Sequence, residues 1–278
     1  MAFSRKGSIA TSVARSEATT TDGGAVKSTT RYTNEEWTKF IAQVEKDIVI
    51  SSEPYPCPDV GGPALAETID HTLLKLEARA VQFDDVCAEA RVNGEAKQAL
   101  RAGASELDIV LNYPELQTAQ YASIYTELAT LRLQAPHPTL LKLILETSQL
   151  TPSEIIAACA MAAAANFDFV KTSTGFRGAG AKEADVRLMA ACCERLGAGV
   201  PADRRMRVKA SGGIRTIEDA VRMLETGASR LGTSGGVWIA KEGRETAEQS
   251  RGLSPPVAEG FERRGSRPGL ETRLFTDY

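Results

Sequence analysis

The chain has 278 residues, 42% hydrophobic and 25% charged, with a formal charge of −3. That length supports one large domain with a full core, or two small ones. The near-neutral balance argues against a nucleic-acid or membrane-surface role, and no apolar run approaches the roughly 20 residues needed to span a bilayer. The five cysteines form no CxxC pair, and only His71 and His137 could add imidazole ligands. Neither a metal site nor a disulfide framework is expected, and a reducing, cytoplasmic compartment is the simpler reading.

Residues 1–32 are rich in Ser, Thr, Ala and Gly and poor in large apolar side chains, which predicts a disordered arm. Arg5, Lys6 and Arg15 with few acids faintly resemble an organellar transit peptide, but a plain arm fits better. Residues 33–63 read as a helix and a linker. Thr33 with Glu36 three residues on is a capping-box pattern. Trp37, Phe40, Ile41, Val44 and Ile48 then form one apolar stripe, expected to cover one end of the core. Four prolines and two glycines between Glu53 and Pro63 mark the linker.

From Ala64 strands and helices alternate. Strands are expected at Thr68–Leu74, Glu106–Leu111, Leu140–Leu145, Phe167–Val170, Met206–Ala210 and around Arg230–Gly232. Helical spacing is carried by Phe83, Val86, Cys87 and Ala90, by Glu95–Ala102, by Tyr121 to Leu131 and by Val186 to Leu196. Thr151-Pro152-Ser153-Glu154 starts one further helix, and Thr216 with Asp219 another. Regular alternation of this kind indicates an α/β fold with a parallel sheet. Polar strand ends recur at Asp70, Asp108, Glu146, Lys171, Lys209 and Ser234, each 25 or 38 residues from the last. Six strand–helix units are visible. Beyond residue 242 the chain turns Arg-, Glu- and Gly-rich, so 243–278 is expected to be a mostly disordered tail.

Lys171 ends a short apolar strand and is followed by three small polar residues and a glycine. Alone, such a lysine is most often an ordinary one snorkelling to water. In a (β/α) barrel, however, the carboxyl ends of the strands build the active site. Lys209 would then lower the pKa of Lys171 by like-charge repulsion, leaving some free amine for imine formation. Asp108 would supply a carboxylate for proton transfer. Gly212-Gly213 and Gly232-Thr233-Ser234 are small-residue loops before helices, and their N–H groups and hydroxyls can cradle a phosphate.

Six motifs in order carry a resemblance: Ile69-Asp70-His71-Thr72-Leu73-Leu74, Glu106-Leu107-Asp108-Ile109-Val110, Lys142 to Thr147, Lys171-Thr172-Ser173-Thr174-Gly175, Lys209 to Arg215 and Arg230-Leu231-Gly232-Thr233-Ser234. Together they resemble the deoxyribose-phosphate aldolase family, over residues 64–242. The resemblance implies a class I aldolase on a (β/α)8 TIM barrel. Its substrate would be a small phosphorylated sugar, 2-deoxy-D-ribose 5-phosphate, split to acetaldehyde and D-glyceraldehyde 3-phosphate. It implies no cofactor beyond a covalent lysine imine, no nucleic-acid or membrane partner, and a homo-oligomer. Lys171 would form the Schiff base, Lys209 would tune it, and Asp108 with a water would relay protons. Gly212, Gly213, Ser234 and Thr174 would hold the phosphate. Gly235 stands where the family often has a second serine. Another imine-forming barrel enzyme, such as a transaldolase, fits the paired lysines and the Leu-Asp-Ile strand less well.

One departure is large. Family members carry two further strands, of Val-Cys-Val and Val-Gly-Phe-Pro type, where this chain runs from Gly94 directly to Glu95. A full barrel spends about 31 residues per unit, so three units from Asp70 to Asp108 would need roughly 90, and only 38 are present. The expected barrel is therefore incomplete, with about six parallel strands. The abrupt junction fits a segment lost in a gene model or splice form better than a truncated paralogue. The opposing expectation is an inactive or misfolded product.

Overall fold

A computed structural model describes residues 32–71, 100–101 and 103–250. The expected arm at 1–31, the helical spacing from Phe83 to Ala90, the Gly94–Glu95 junction and residues 251–278 lie outside the described residues. So do Thr72, Leu73 and Leu74 of the first expected strand and all of the expected helix Glu95–Ala102 except residues 100 and 101.

Three helices begin where a side chain takes up a free backbone N–H. Thr33, Thr151 and Thr216 each cap a helix reciprocally with the acid three residues on, Glu36, Glu154 and Asp219. In chain order the elements are α1 (Asn34–Asp47), α2 (Pro63–Glu67), β1 (Ile69–His71), β2 (Glu106–Val110), α3 (Tyr113–Gln117), α4 (Tyr121–Gln134) and β3 (Leu140–Ile144). Then follow α5 (Pro152–Ala164), β4 (Phe169–Lys171), α6 (Glu183–Leu196), β5 (Arg207–Ser211), α7 (Ile217–Glu225), β6 (Arg230–Thr233) and α8 (Gly236–Ser250). The five-residue helix α3 was not expected: too short to show a period, it starts at a proline turn. The final helix continues past the expected barrel end at residue 242, as far as Ser250.

Six parallel strands form one sheet in the order β1-β6-β5-β4-β3-β2. Among the described residues β1 and β2 are its two edges. The sheet curls, so that Arg230 on β6 reaches Glu106 on β2 with a forked pair of bonds at 2.8 and 3.1 Å. This is the expected incomplete (β/α)8 barrel. Leu141, Leu143, Val170, Val208, Ala210 and Leu231 are buried in the apolar layer between sheet and helices. The alternate residues Lys142, Lys171 and Lys209 point into the hollow of the curl, as the period of two requires.

Helix α5 is alanine-rich and buried almost all round. The reason is α1, which lies over α4, α5 and α6 as an outer layer. Trp37, 1% exposed, packs at its centre against Tyr32, Phe40 and Tyr125, with ring centroids 5.4, 5.9 and 5.1 Å away. Thus the apolar stripe covers the helical layer rather than an end of the core. Polar links fix the angle. Ala122 N–H donates to Asn34 Oδ1 at 2.9 Å, Ser153 Oγ to Glu45 at 2.8 Å, and Arg195 pairs with Asp47 at 2.5 Å. Trp37→Ala should therefore cost about 3–5 kcal/mol, read as a lower urea midpoint with retained secondary structure at low denaturant.

Candidate active site

Every strand contributes a charge to the hollow. The register sets Asp108 opposite Lys142 and Lys171 opposite Lys209. Curling brings the two pairs together around Asp108. Its Oδ1 accepts from Lys142 Nζ at 2.6 Å, and its Oδ2 from Lys171 Nζ at 2.8 Å and Lys209 Nζ at 3.5 Å. Lys209 Nζ is closer still to Asp70 Oδ2, at 2.6 Å. Lys142 Nζ also lies 2.6 Å from Glu106 Oε2, and Arg230 spans Glu106 and Asp70. The lysine stems are buried, Lys171 at 8%, Lys142 at 4% and Lys209 at 3% exposure. Gly232 on β6 makes room for one of them: a Cβ there would stand 3.0 Å from Lys209 Cε and collide with Ser211 Oγ.

The three charged groups named from sequence therefore meet. Their electrostatics differ by environment. Burial is the leading influence on Lys171 and lowers its pKa; Asp108 opposes this, while the charges of Lys209 and Lys142 add to it. Burial also works against the charge on Lys142, but its bonds to Asp108 and Glu106 outweigh it and hold that ammonium above its ordinary value. Burial would raise the Asp108 carboxyl, yet the charges of Lys171 and Lys209 and the bond from Lys142 push it far below the usual carboxylate range. Of Lys171 and Lys142, Lys171 is thus the one whose pKa is lowered.

The small-residue loops stand beside this cluster. Gly212 (φ +87°) and Gly180 (φ +69°) pack backbone on backbone, and a Cβ on Gly212 would fall 2.9 Å from Gly180 Cα. Ala181 N–H donates to Gly212 O at 3.1 Å, tying the loop after β4 to the loop after β5. Thr233 Oγ1 donates to Ile214 O at 2.7 Å and accepts from Gly235 N–H at 2.9 Å, joining the loop after β6 to the same group. Gly213 and Ser234 are exposed on this rim, and the fifteen-residue helix α8 starts at Gly236.

Thr174, expected among the phosphate ligands, is turned elsewhere. It gives its hydroxyl proton to Glu146 Oε2 at 2.7 Å and its N–H to the same carboxyl at 3.3 Å. Glu146 has a left-handed backbone (φ 57°, ψ 58°) and is 1% exposed, and burial pushes its carboxyl pKa up. It clamps the loop that follows Lys171. Lys142, Glu106 and Arg230 were not singled out as site residues from sequence. The available signal was a charged residue inside an otherwise apolar strand, as in Leu140-Leu141-Lys142-Leu143-Ile144.

The chain matches the family model described as DeoC/LacD family aldolase over residues 69–242. It belongs to that family. It is 40% identical to a deoxyribose-phosphate aldolase of Coccidioides immitis, covering 76% of this chain and 92% of that one. It is 36% identical to a deoxyribose-phosphate aldolase of Streptococcus pneumoniae, over 64% of this chain and 96% of the relative. The crystal structure of a deoxyribose-phosphate aldolase from C. immitis superposes with a TM-score of 0.65 at 40% identity, over 77% of this chain and 98% of that one. An aldolase designated QR15 gives a TM-score of 0.50 at 30% identity, over 80% of this chain and 92% of that one. The match to the C. immitis protein runs over 256 positions, whereas 76% of 278 residues is about 211. About 45 positions of the relative therefore face a gap in this family member. The aldolases of this family are lyases that work through a lysine Schiff base without a cofactor.

Removing the shared carboxylate tests the electrostatics. Asp108→Asn leaves buried ammoniums uncompensated and should cost about 3 kcal/mol at neutral pH. Because the folded pKa of Asp108 is depressed, its contribution is present above the unfolded value of 3.8 and is lost as pH falls below it towards the folded value. The wild-type melting temperature should therefore drop in that acid range, and the Asp108→Asn drop should be smaller.

Proposed function

We propose that the chain is a class I aldolase that reversibly cleaves 2-deoxy-D-ribose 5-phosphate to acetaldehyde and D-glyceraldehyde 3-phosphate. The observation that carries this is the placement of a buried lysine of lowered pKa, Lys171, 2.8 Å from a carboxylate and beside a second lysine on the next strand. The open-chain aldehyde carbon is attacked by the neutral Lys171 amine. Loss of water from the resulting carbinolamine gives an imine, whose positive nitrogen can draw in electrons. Asp108, through a water, takes the proton of the C3 hydroxyl. The C2–C3 bond then breaks: its electrons pass to the imine, leaving an enamine, and C3 leaves as the aldehyde of D-glyceraldehyde 3-phosphate. The proton returns to C2, and hydrolysis of the imine frees acetaldehyde and the lysine. Lys209 supports Asp108 and keeps positive charge next to Lys171.

Gly212, Gly213 and Ser234, with the first turn of α8, hold the phosphate at the rim formed by the last two strand–helix loops. Gly235 offers an N–H without a hydroxyl. Thr174 acts through Glu146 in this reading, not on the phosphate. Among the described residues no helix is long and apolar enough to cross a membrane. Among the described residues four free cysteines, three of them buried, support a reducing compartment, the cytoplasm. A homo-oligomer is part of the same reading.

Borohydride reduction in the presence of deoxyribose 5-phosphate, followed by peptide mass spectrometry, should place the reduced adduct on the Lys171 peptide. Recovery of that peptide unmodified would remove the basis of the proposal. Gly212→Ala gives a residue with φ +87° a side chain that meets Gly180. Losing one charge-assisted N–H bond should raise KM for the phosphorylated sugar about tenfold or more. Trapping of acetaldehyde on Lys171 should be unchanged, because acetaldehyde carries no phosphate.

One observation favours a second reading, an inactive or misfolded product. The stretch between β1 and β2 is too short for the two further strands that the family resemblance implies, and about 45 aligned positions of a relative face a gap in this chain. Cooperative thermal unfolding together with steady aldolase turnover would rule it out.

A further inference from the structure

Lys142 takes no part in the steps above, yet its side chain is 5% exposed and its ammonium lies 2.6 Å from each of two carboxylates. Placing a cation there is costly. Desolvation takes several kcal/mol per ion, and an apolar residue of similar volume is often as stable or more so. The geometry indicates what the charge achieves. Lys142 bonds to Oδ1 of Asp108, and only Oδ2 is left for Lys171 and Lys209.

The charge count points the same way. The charged groups around Lys171 are Asp108 and Glu106 from β2, Lys142 from β3, Lys209 from β5, Asp70 from β1 and Arg230 from β6. Among these described residues three carboxylates face four cations, Lys171 included. The set is neutral only when one cation gives up its proton. Lys142 has two close carboxylates and Arg230 is always protonated. Lys209 keeps Asp70 as its nearer partner, at 2.6 Å. Lys171 has only a share of Asp108. Glu146, bonded to Thr174, also feels the charge of Lys171, but Arg177 acts on it as well, so this second pair adds one charge of each sign and leaves the surplus unchanged.

We propose that Lys142 is a positioning residue: it fixes which oxygen of Asp108 faces the Lys171 amine, and its permanent charge competes with Lys171 for that carboxylate. Lys171 is thereby the surplus cation of the network. This rests on the reading of Lys171 as the imine-forming amine. The opposite directions in which the pKa values of Lys142 and Lys171 move agree with it.

Competitive acetylation of all lysines with acetic anhydride across a pH series, read by peptide mass spectrometry, tests this without any aldolase substrate. Lys142→Met removes the competitor, and the Lys171 midpoint should rise by about one pH unit, a tenfold loss of free amine at a fixed pH below it. Lys142→Arg should leave the midpoint near that of the wild type. Glu106→Gln removes a carboxylate, enlarges the positive surplus and should move the Lys171 midpoint down. A purely structural Lys142 would lower the melting temperature of Lys142→Met and leave the Lys171 midpoint in place, which overturns the proposal. Should Lys142→Met not fold, an unmoved midpoint in Glu106→Gln overturns it instead. If wild-type turnover is absent while these shifts occur, the aldolase reading fails and the network reading stands. Normal turnover with no shift gives the reverse result.

Discussion

Asp108 is shared by three ammonium groups, and the curled sheet depends on that sharing. A carboxylate in the hollow of a parallel sheet is held only if cations replace its lost hydration, and each cation needs a carboxylate in turn. Every strand supplies at least one member of the resulting network: Asp70 from β1, Glu106 and Asp108 from β2, Lys142 from β3, Lys171 from β4, Lys209 from β5 and Arg230 from β6. The two edge strands, which exchange no backbone bonds in the described sheet, are joined through side chains. Arg230 reaches both Glu106 and Asp70, and Lys209 reaches both Asp70 and Asp108. Removing a carboxylate would thus disturb the edges as well as the chemistry.

The same network explains how a lysine can be both buried and reactive. Burial alone would lower the pKa of every interior lysine. Pairing with carboxylates reverses the effect wherever it is strong. Lys142 has two close carboxylates and stays charged, whereas Lys171 shares one with two other ammoniums and does not hold its proton as well. Reactivity follows from unequal pairing rather than from a special local sequence. It also follows that the site residues lie on strands outside the shortened stretch. The barrel is incomplete, with six parallel strands, and the charged cluster on β1 to β6 is nevertheless assembled.

Local signals were the most legible part of the fold. The capping boxes at Thr33, Thr151 and Thr216 involve residues three apart, so their chemistry can be read without knowing the tertiary structure. Strand positions were also close, since short β-rich runs bounded by glycine and polar residues leave few alternatives. Helix α3 escaped because five residues show no period. The burial of α5 on nearly all sides was not readable either, because it depends on α1 arriving from more than a hundred residues away to cover it. Thr174 illustrates a different limit. Its motif suited a phosphate, but a left-handed Glu146 at the end of β3 brings a carboxylate to its hydroxyl, and that is a contact between strands.

By itself the sequence determined the alternation of strands and helices, the family, the order of the polar strand ends and the identity of Lys171, Lys209 and Asp108 as partners, since each rests on residue type and spacing. It also determined that the connection between β1 and β2 is short. Only the tertiary structure decided that the sheet curls far enough for Arg230 to grip Glu106, and that Lys142 points inward to take one oxygen of Asp108. A charged residue on a strand carries no mark of which face it will occupy. The face is set by register and curl, and those are fixed by contacts between strands far apart in the chain.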